Sequence, residues 1–133
     1  MQGMPPDNGL FMPKYIPDHS NLVKGIGELS FQDISYVIAK SFLLEDFKNS
    51  DIEDIISKSI SFDSPVVRIY DNVNILELFH GPTLAFKDFG ARFMARTMEN
   101  VVLNNDREIN ILVATSGDTG SAVAHGFYNV DGI

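Results

Sequence analysis

Apolar residues recur at intervals of three and four in two stretches of the first half of the chain, after an irregular lead-in over residues 1–29. Ser30 precedes the first stretch as a helix N-cap, with Asp33 near the third helical position. The pattern predicts a helix from about Phe31 to Leu44. Ser50 is expected to cap a second helix, whose apolar face carries Ile52, Ile55, Ile56 and Ile60. Both apolar faces are expected to be packed as core.

The pattern changes after Pro65 to one that is typical of β-strands. Residues 66–70 and 73–79 are rich in β-branched side chains and flank the polar pair Asp71-Asn72. Two runs of this kind about a short polar pair predict two strands joined by a tight turn.

After Lys87, apolar residues again recur at helical spacing, and the predicted helix ends at Asn104-Asn105. Ile109 to Ala114 is a short continuous apolar run, as expected of a strand that is buried on both faces. A Gly-rich loop, Thr115 to Ser121, separates this run from another helix that starts at Ala122. This order of elements predicts a βαβ unit with parallel strands and a right-handed crossover.

These elements predict an α/β chain in two parts. Residues 1–64 form an amino-terminal helical segment, and residues 65–133 form the start of an α/β domain with a parallel sheet. Parallel sheets are stable when several strands are present and both faces are covered. Two parallel strands leave such a sheet unfinished. We therefore hypothesise that the chain is a piece of a longer protein, cut where the next strand should begin.

The composition of the chain argues against several classes of function. The 133 residues are 44% hydrophobic, a soluble globular composition, and the net charge of −8 without a Lys/Arg cluster argues against nucleic-acid binding. No apolar run approaches the roughly 20 residues of a membrane span. The absence of cysteine excludes disulfides and Cys-based metal sites, and no His, Asp or Glu spacing supports a metal site. We expect a cytoplasmic protein that binds a small molecule and neither a membrane nor a nucleic acid.

Lys87 stands among apolar residues: Leu84, Ala85, Phe86 and Phe89. Lysines normally lie in polar surroundings, so this setting suggests an amine whose positive charge is suppressed. An uncharged amine can attack carbonyl carbon, which is the chemistry of Schiff bases. The alternative is a surface lysine whose stem covers apolar surface.

The Gly-rich loop presents consecutive backbone N–H groups at a helix start, where anions bind. Ser116, Thr119 and Ser121 add hydroxyl donors. Asp118 would repel an anion, so it is expected to accept hydrogen bonds or to cap the helix. A plain strand-to-helix turn explains the loop equally well.

Loops 80–87 and 115–121 both follow predicted strands, and ligands of α/β proteins bind at the carboxyl ends of parallel strands. The two loops are therefore expected to face one crevice. Three classes of function stay open on the residues alone: a lysine-based pyridoxal-phosphate enzyme, a phosphate-binding α/β module without covalent chemistry, and an interaction domain that uses the acidic helices of residues 31–61. Arg92 and Arg96 are expected to be solvated or paired.

Two motifs make the chain similar to a known family. Residues 77–90, Glu-Leu-Phe-His-Gly-Pro-Thr-Leu-Ala-Phe-Lys-Asp-Phe-Gly, and residues 114–120, Ala-Thr-Ser-Gly-Asp-Thr-Gly, closely resemble the threonine synthases, which are fold-type II pyridoxal-phosphate enzymes. Gly9 to Pro13 resembles a segment near that family's amino terminus. The resemblance implies part of a three-layer αβα parallel sheet. The nearest rivals are sister lyases, such as threonine or serine dehydratase and cysteine synthase.

The resemblance implies a role for each matching residue. Lys87 matches the lysine that holds pyridoxal 5'-phosphate as a Schiff base and moves protons. Phe86 is expected to lie against the pyridine ring. The loop that grips the substrate carboxylate is matched by Ser116, Gly117, Asp118 and Thr119. Asp118 is also expected near the phenolic oxygen of the cofactor, and Thr83 is expected to face the substrate.

The implied reaction converts O-phospho-L-homoserine and water to L-threonine and phosphate, with the cofactor as electron sink. A substrate with two anionic groups suits a Gly-rich amide cradle. The family's second Gly-rich loop, which binds the cofactor phosphate, and its partner for the pyridine nitrogen have no match in this chain. We therefore expect the 133-residue chain alone to bind the cofactor poorly and not to turn over.

Overall fold

Helices account for most of the regular structure in the computed structural model, which describes residues 3–104 and 108–133. The helices are α1 (Ser20–Gly25), α2 (Phe31–Leu43), α3 (Asn49–Ser59), α4 (Lys87–Leu103) and α5 (Asp118–Phe127), and a 3-10 turn spans Ile26–Glu28. Two strands, β1 (Val66–Tyr70) and β2 (Val73–Leu76), lie between α3 and α4. No helix within the described ranges is long and apolar enough to cross a membrane.

The start of α2 agrees with its sequence signal. The backbone N–H of Asp33 donates to the Ser30 hydroxyl oxygen at 3.1 Å, and the Ser30 N–H donates to the Asp33 carboxylate at 3.0 Å. This reciprocal pair is a capping box, which satisfies two amides that a helix start leaves without partners. The predicted helix from Phe31 is confirmed, and it ends at Leu43.

Helix α3 buries its isoleucine face as predicted, but it begins earlier than expected. Lys48 is the N-cap, so the prediction that Ser50 caps the helix is wrong. The reason is Asp51, whose carboxylate accepts the Lys48 N–H at 3.3 Å and so closes the helix start two residues before Ser50.

Helix α4 lies between α3 and α5 and contributes to both parts of the core. On one side Phe93 packs against the cluster formed by Ala39, Ile52 and Ile56. On the other side the buried residues are Ala95, Phe127 and Val130. Helix α4 ends at Leu103, close to its predicted end, and Asn105 lies outside the described residues.

The two strands form an antiparallel hairpin, as the sequence predicts, with Val66 opposite Leu76 and Val67 opposite Ile75. The second strand ends at Leu76 instead of Phe79. The Glu77 N–H still donates to the carbonyl of Pro65, the residue before β1, at 2.9 Å, and regular pairing ends there because Pro65 has no N–H to donate in return. Side chains are exposed along the whole length of both strands, so the hairpin has no packed face within the described residues.

The predicted buried strand from Ile109 to Ala114 is not formed. The segment pairs with no strand in the part of the chain that the structure describes, and Leu112 is 93% exposed. The βαβ unit with a parallel sheet is therefore absent from these residues, whose sheet is the β1–β2 hairpin. A buried parallel strand needs neighbouring strands, and none lies beside this segment within the described residues. Helix α5 does lie beside it, since Ile111 packs against the cluster of Ala95, Phe127 and Val130.

Candidate active site

Lys87 is the first residue of α4, and its amine lies at the start of the helix. Its side chain is half-buried, and Nζ lies 4.4 Å from the centroid of the Phe86 ring. This distance allows a cation–π contact. The Phe89 ring, which was expected near the lysine, packs on Phe62 and Phe31 at centroid distances of 4.6 and 6.0 Å.

The chain enters α4 through a tight turn over residues 81–86. The Leu84 N–H donates to the Gly81 carbonyl at 3.0 Å, and Leu84 itself has a left-handed backbone with φ of 60°. A leucine rarely adopts this conformation, so the surroundings must hold it there.

A buried carboxylate holds this turn. Asp88 is fully buried, and it accepts the Thr83 N–H at 2.9 Å and the Thr83 hydroxyl at 2.7 Å. No motif in the sequence indicated a role for Asp88. Its position in the first turn of a helix after a Gly-Pro-Thr turn favours an aspartate that accepts hydrogen bonds, but it does not identify Thr83 as the donor.

The Gly-rich loop passes into α5 sooner than expected. The helix begins at Asp118 and not at Ala122, and Gly117 is the N-cap. The Gly117 N–H donates to the Thr115 hydroxyl oxygen at 3.3 Å, and the Gly120 N–H donates to the Gly117 carbonyl at 2.9 Å. Asp118 is therefore not the cap residue. It lies in the first turn of α5, near the positive end of the helix dipole, which favours its negative charge.

One groove brings the two elements together. It has a volume of about 900 Å³ and runs between α2, α3, β2 and α4 to the start of α5. Phe86, Lys87 and Thr119 are among the residues that line it. The remaining predicted site residues do not line the groove: Thr83 lies in the turn before α4, and Ser116, Gly117 and Asp118 are exposed.

His80 lies just before the turn and forms a pair with Glu77. Its Nε2 is 2.6 Å from the Glu77 carboxylate, and its ring stacks on Phe79 at 4.8 Å. Within residues 3–104 and 108–133, no cluster of His, Asp and Glu could hold a metal ion.

Comparisons with known proteins found threonine synthases. A family model described as the threonine synthase N terminus matches residues 1–60. The threonine synthase of Haemophilus influenzae is 42% identical over 132 residues, which is 99% of this chain and 30% of the relative. The chain corresponds to the amino-terminal part of the threonine synthases that it matches.

Solved threonine synthases share the fold of the chain. The Escherichia coli enzyme has a TM-score of 0.86 and 40% identity over 98% of this chain and 30% of that one. A pyridoxal-phosphate-bound threonine synthase from Brucella melitensis has a TM-score of 0.88 and 31% identity, and the match covers 96% of this chain and 29% of that one. The chain thus spans about 30% of the length of the threonine synthases that it matches.

Proposed function

We propose that this chain supplies the lysine-bearing part of a threonine synthase, which converts O-phospho-L-homoserine and water to L-threonine and phosphate. The observation that supports the proposal is the groove, which is lined both by Lys87 at the start of α4 and by Thr119 at the start of α5. An amine and a set of helix-start amides are the groups that a lysine-based enzyme needs for a substrate with a carboxylate.

The residues present suit pyridoxal 5'-phosphate in part. Lys87 offers a half-buried amine at the groove, through which it would hold the cofactor, and the exposed Phe86 ring would lie beside the pyridine. The cofactor, when bound, draws electrons from the substrate carbons and stabilises the carbanions that form. Lys87 would move protons to and from those carbons at Nζ.

The loop before α5 would hold the substrate. Amides and hydroxyls of Ser116, Gly117 and Thr119 would donate to the α-carboxylate, and Asp118 would lie near the phenolic oxygen of the cofactor. Thr83 would face the substrate as an acceptor, since its hydroxyl hydrogen is already donated to Asp88 at 2.7 Å.

The finer architecture is part of the same proposal. In the complete fold-type II domain, residues 109–114 would become a parallel strand and α4 and α5 would cover one face of the sheet. The apolar composition of this segment supports that assignment. The division between residues 64 and 65 and a cytoplasmic location stay predictions.

A chimera tests the proposal. This chain would replace the matching 30% of the Escherichia coli threonine synthase, and visible absorbance of the bound cofactor would be recorded. We expect absorbance that is lost in Lys87→Ala and retained in Lys24→Ala, a matched change at an exposed lysine of α1. Absorbance that survives Lys87→Ala would refute the role of Lys87.

Substrate choice needs a second measurement on the same chimera. We expect phosphate and threonine to form from O-phospho-L-homoserine, with no comparable turnover of serine or threonine. Preferred turnover of serine or threonine would instead assign the chain to a sister lyase.

A further inference from the structure

We propose that Asp88 is a positioning residue, which fixes the direction of Lys87 by tying the preceding turn to the first turn of α4. The inference rests on the proposed function only in the role that it gives to Lys87. Asp88 directly follows Lys87 and is fully buried, so it touches the scaffold and not the groove.

Helix α4 lacks an ordinary cap. Phe86, its N-cap residue, is helical in backbone conformation and makes no side-chain hydrogen bond to the helix start. Helix ends without a side-chain cap fray, because most of their first amides have no partner; at this end the Asp88 N–H donates to the Ala85 carbonyl at 3.0 Å. Lys87 is the first residue of α4, so fraying would move its amine most.

The Asp88 carboxylate supplies the missing restraint from inside the helix. Its two oxygens accept both polar hydrogens of one residue, Thr83, at 2.7 and 2.9 Å. These bonds span five positions and close a loop around the left-handed Leu84 and around Phe86, whose ring lies beside the Lys87 amine. Since Asp88 also stands next to Lys87, the restraint acts on the backbone at both sides of the lysine.

The surroundings of the Asp88 carboxylate offset the energetic cost of its burial. A buried carboxylate is costly unless each oxygen finds a donor, and here each oxygen finds one. Its charge also lies in the first helical turn, where the helix dipole favours it. Arg92, one turn further along α4, adds a favourable positive charge.

Four variants of the chimera separate positioning from plain stability. Asp88→Ala removes both acceptors, whereas Asp88→Asn keeps an oxygen for the Thr83 N–H and an amide that can donate to the hydroxyl oxygen. Thr83→Val removes one donor at nearly constant shape, and Thr83→Ser restores it. The Thr83 pair decides the question if Asp88→Ala fails to fold.

The readout is the reactivity of Lys87 itself. Each chimera would be treated with limiting pyridoxal phosphate and borohydride, and peptide masses would give the ratio of label at Lys87 to label at the exposed Lys24. Asp88→Ala is expected to lower this ratio about tenfold and Thr83→Val several-fold, because a small displacement of a reacting group costs much of its rate. Thr83→Ser is expected to stay within about twofold of the parent, and Asp88→Asn is expected to lie between the extremes.

The outcomes keep the two proposals apart. A parent chimera that labels Lys87 no more than Lys24 overturns the proposed role of Lys87. A parent that labels Lys87 selectively, with ratios unchanged in Asp88→Ala and Thr83→Val while their unfolding temperatures fall, overturns only the positioning role. Loss of selectivity in Thr83→Val and its return in Thr83→Ser supports positioning.

Discussion

Gly81 and Asp88 lie so close together that a side chain at position 81 has no room. A Cβ added to Gly81 would lie 2.7 Å from the Asp88 Cβ and 2.9 Å from its Cγ. Gly81→Ala is therefore expected to lower the free energy of unfolding by about 1–3 kcal/mol, because the buried carboxylate must shift off its Thr83 donors. Urea unfolding of the chain would measure the change.

Gly90→Ala is the matched control. An added Cβ at Gly90 meets nothing within 4 Å, and the residue lies inside α4. Alanine is the better helix former, so this change is expected to raise the free energy of unfolding by about 0.5–1 kcal/mol. Equal effects of the two substitutions would contradict the close contact between Gly81 and Asp88.

Single residues differ in how far the sequence reveals their roles. The Ser30–Asp33 cap could be predicted, because both partners lie within one turn and follow a known spacing. The Thr83–Asp88 tie could not, because it depends on a left-handed backbone at Leu84 that no local rule assigns to leucine. The motif around Lys87 predicts a role for the lysine and none for Asp88, whose bonds to Thr83 appear only in the folded chain.

At the scale of elements, Arg92 joins α4 to the end of α3. Its guanidinium donates to the carbonyls of Lys58 and Ser59 at 2.8 and 3.1 Å and to the Ser61 hydroxyl oxygen at 2.9 Å. These carbonyls belong to the last turn of α3, which has no partners of its own for them. Arg92 is thus engaged with the backbone of α3, and partial burial lowers its pKa from the usual value while leaving it charged.

Arg92→Met is expected to lower the free energy of unfolding by about 1–3 kcal/mol, because three charge-assisted hydrogen bonds are lost. Arg92→Lys should recover only part of this, since one ammonium cannot reproduce the planar fork. Arg68→Met, at an exposed residue whose pair with Asp71 spans 3.5 Å, is the control and should change stability by less than about 0.5 kcal/mol. Thermal unfolding would compare the three variants. An unfolding midpoint of Arg92→Met equal to that of Arg68→Met would contradict a stabilising link between Arg92 and the end of α3.

Helices and strands were predictable to different degrees for a physical reason. Helices α2, α3 and α4 follow from periodic apolar residues, since their hydrogen bonds are local and one apolar face suffices. The hairpin was predictable because its strands are neighbours in sequence. The segment from Ile109 to Ala114 was not, because a buried parallel strand takes its hydrogen bonds from distant parts of a chain.

At the scale of the whole molecule, large apolar surfaces stay uncovered. Val66, Ile69 and Leu76 of the hairpin are 67%, 50% and 54% exposed, and Leu112 is 93% exposed. Exposed apolar patches and unpaired strand edges of this kind mark surfaces that other protein normally covers. Leu76 of the hairpin also lines the groove that Lys87 lines.

This surface leads to a prediction for the 133-residue chain by itself. The isolated chain is expected to bind a hydrophobic dye such as ANS strongly, because the hairpin and residues 109–114 stay exposed. It is expected to form no threonine, because no second wall of protein covers the amine and the amide-bearing loop to exclude water and orient a substrate.

In the Escherichia coli chimera dye binding should fall and threonine formation should appear. Lys87→Ala in the chimera should abolish threonine formation while dye binding stays low. If the purified chain formed threonine at a rate near that of the chimera, the residues described would already be a complete active site, and the need for further protein over this surface would be disproved.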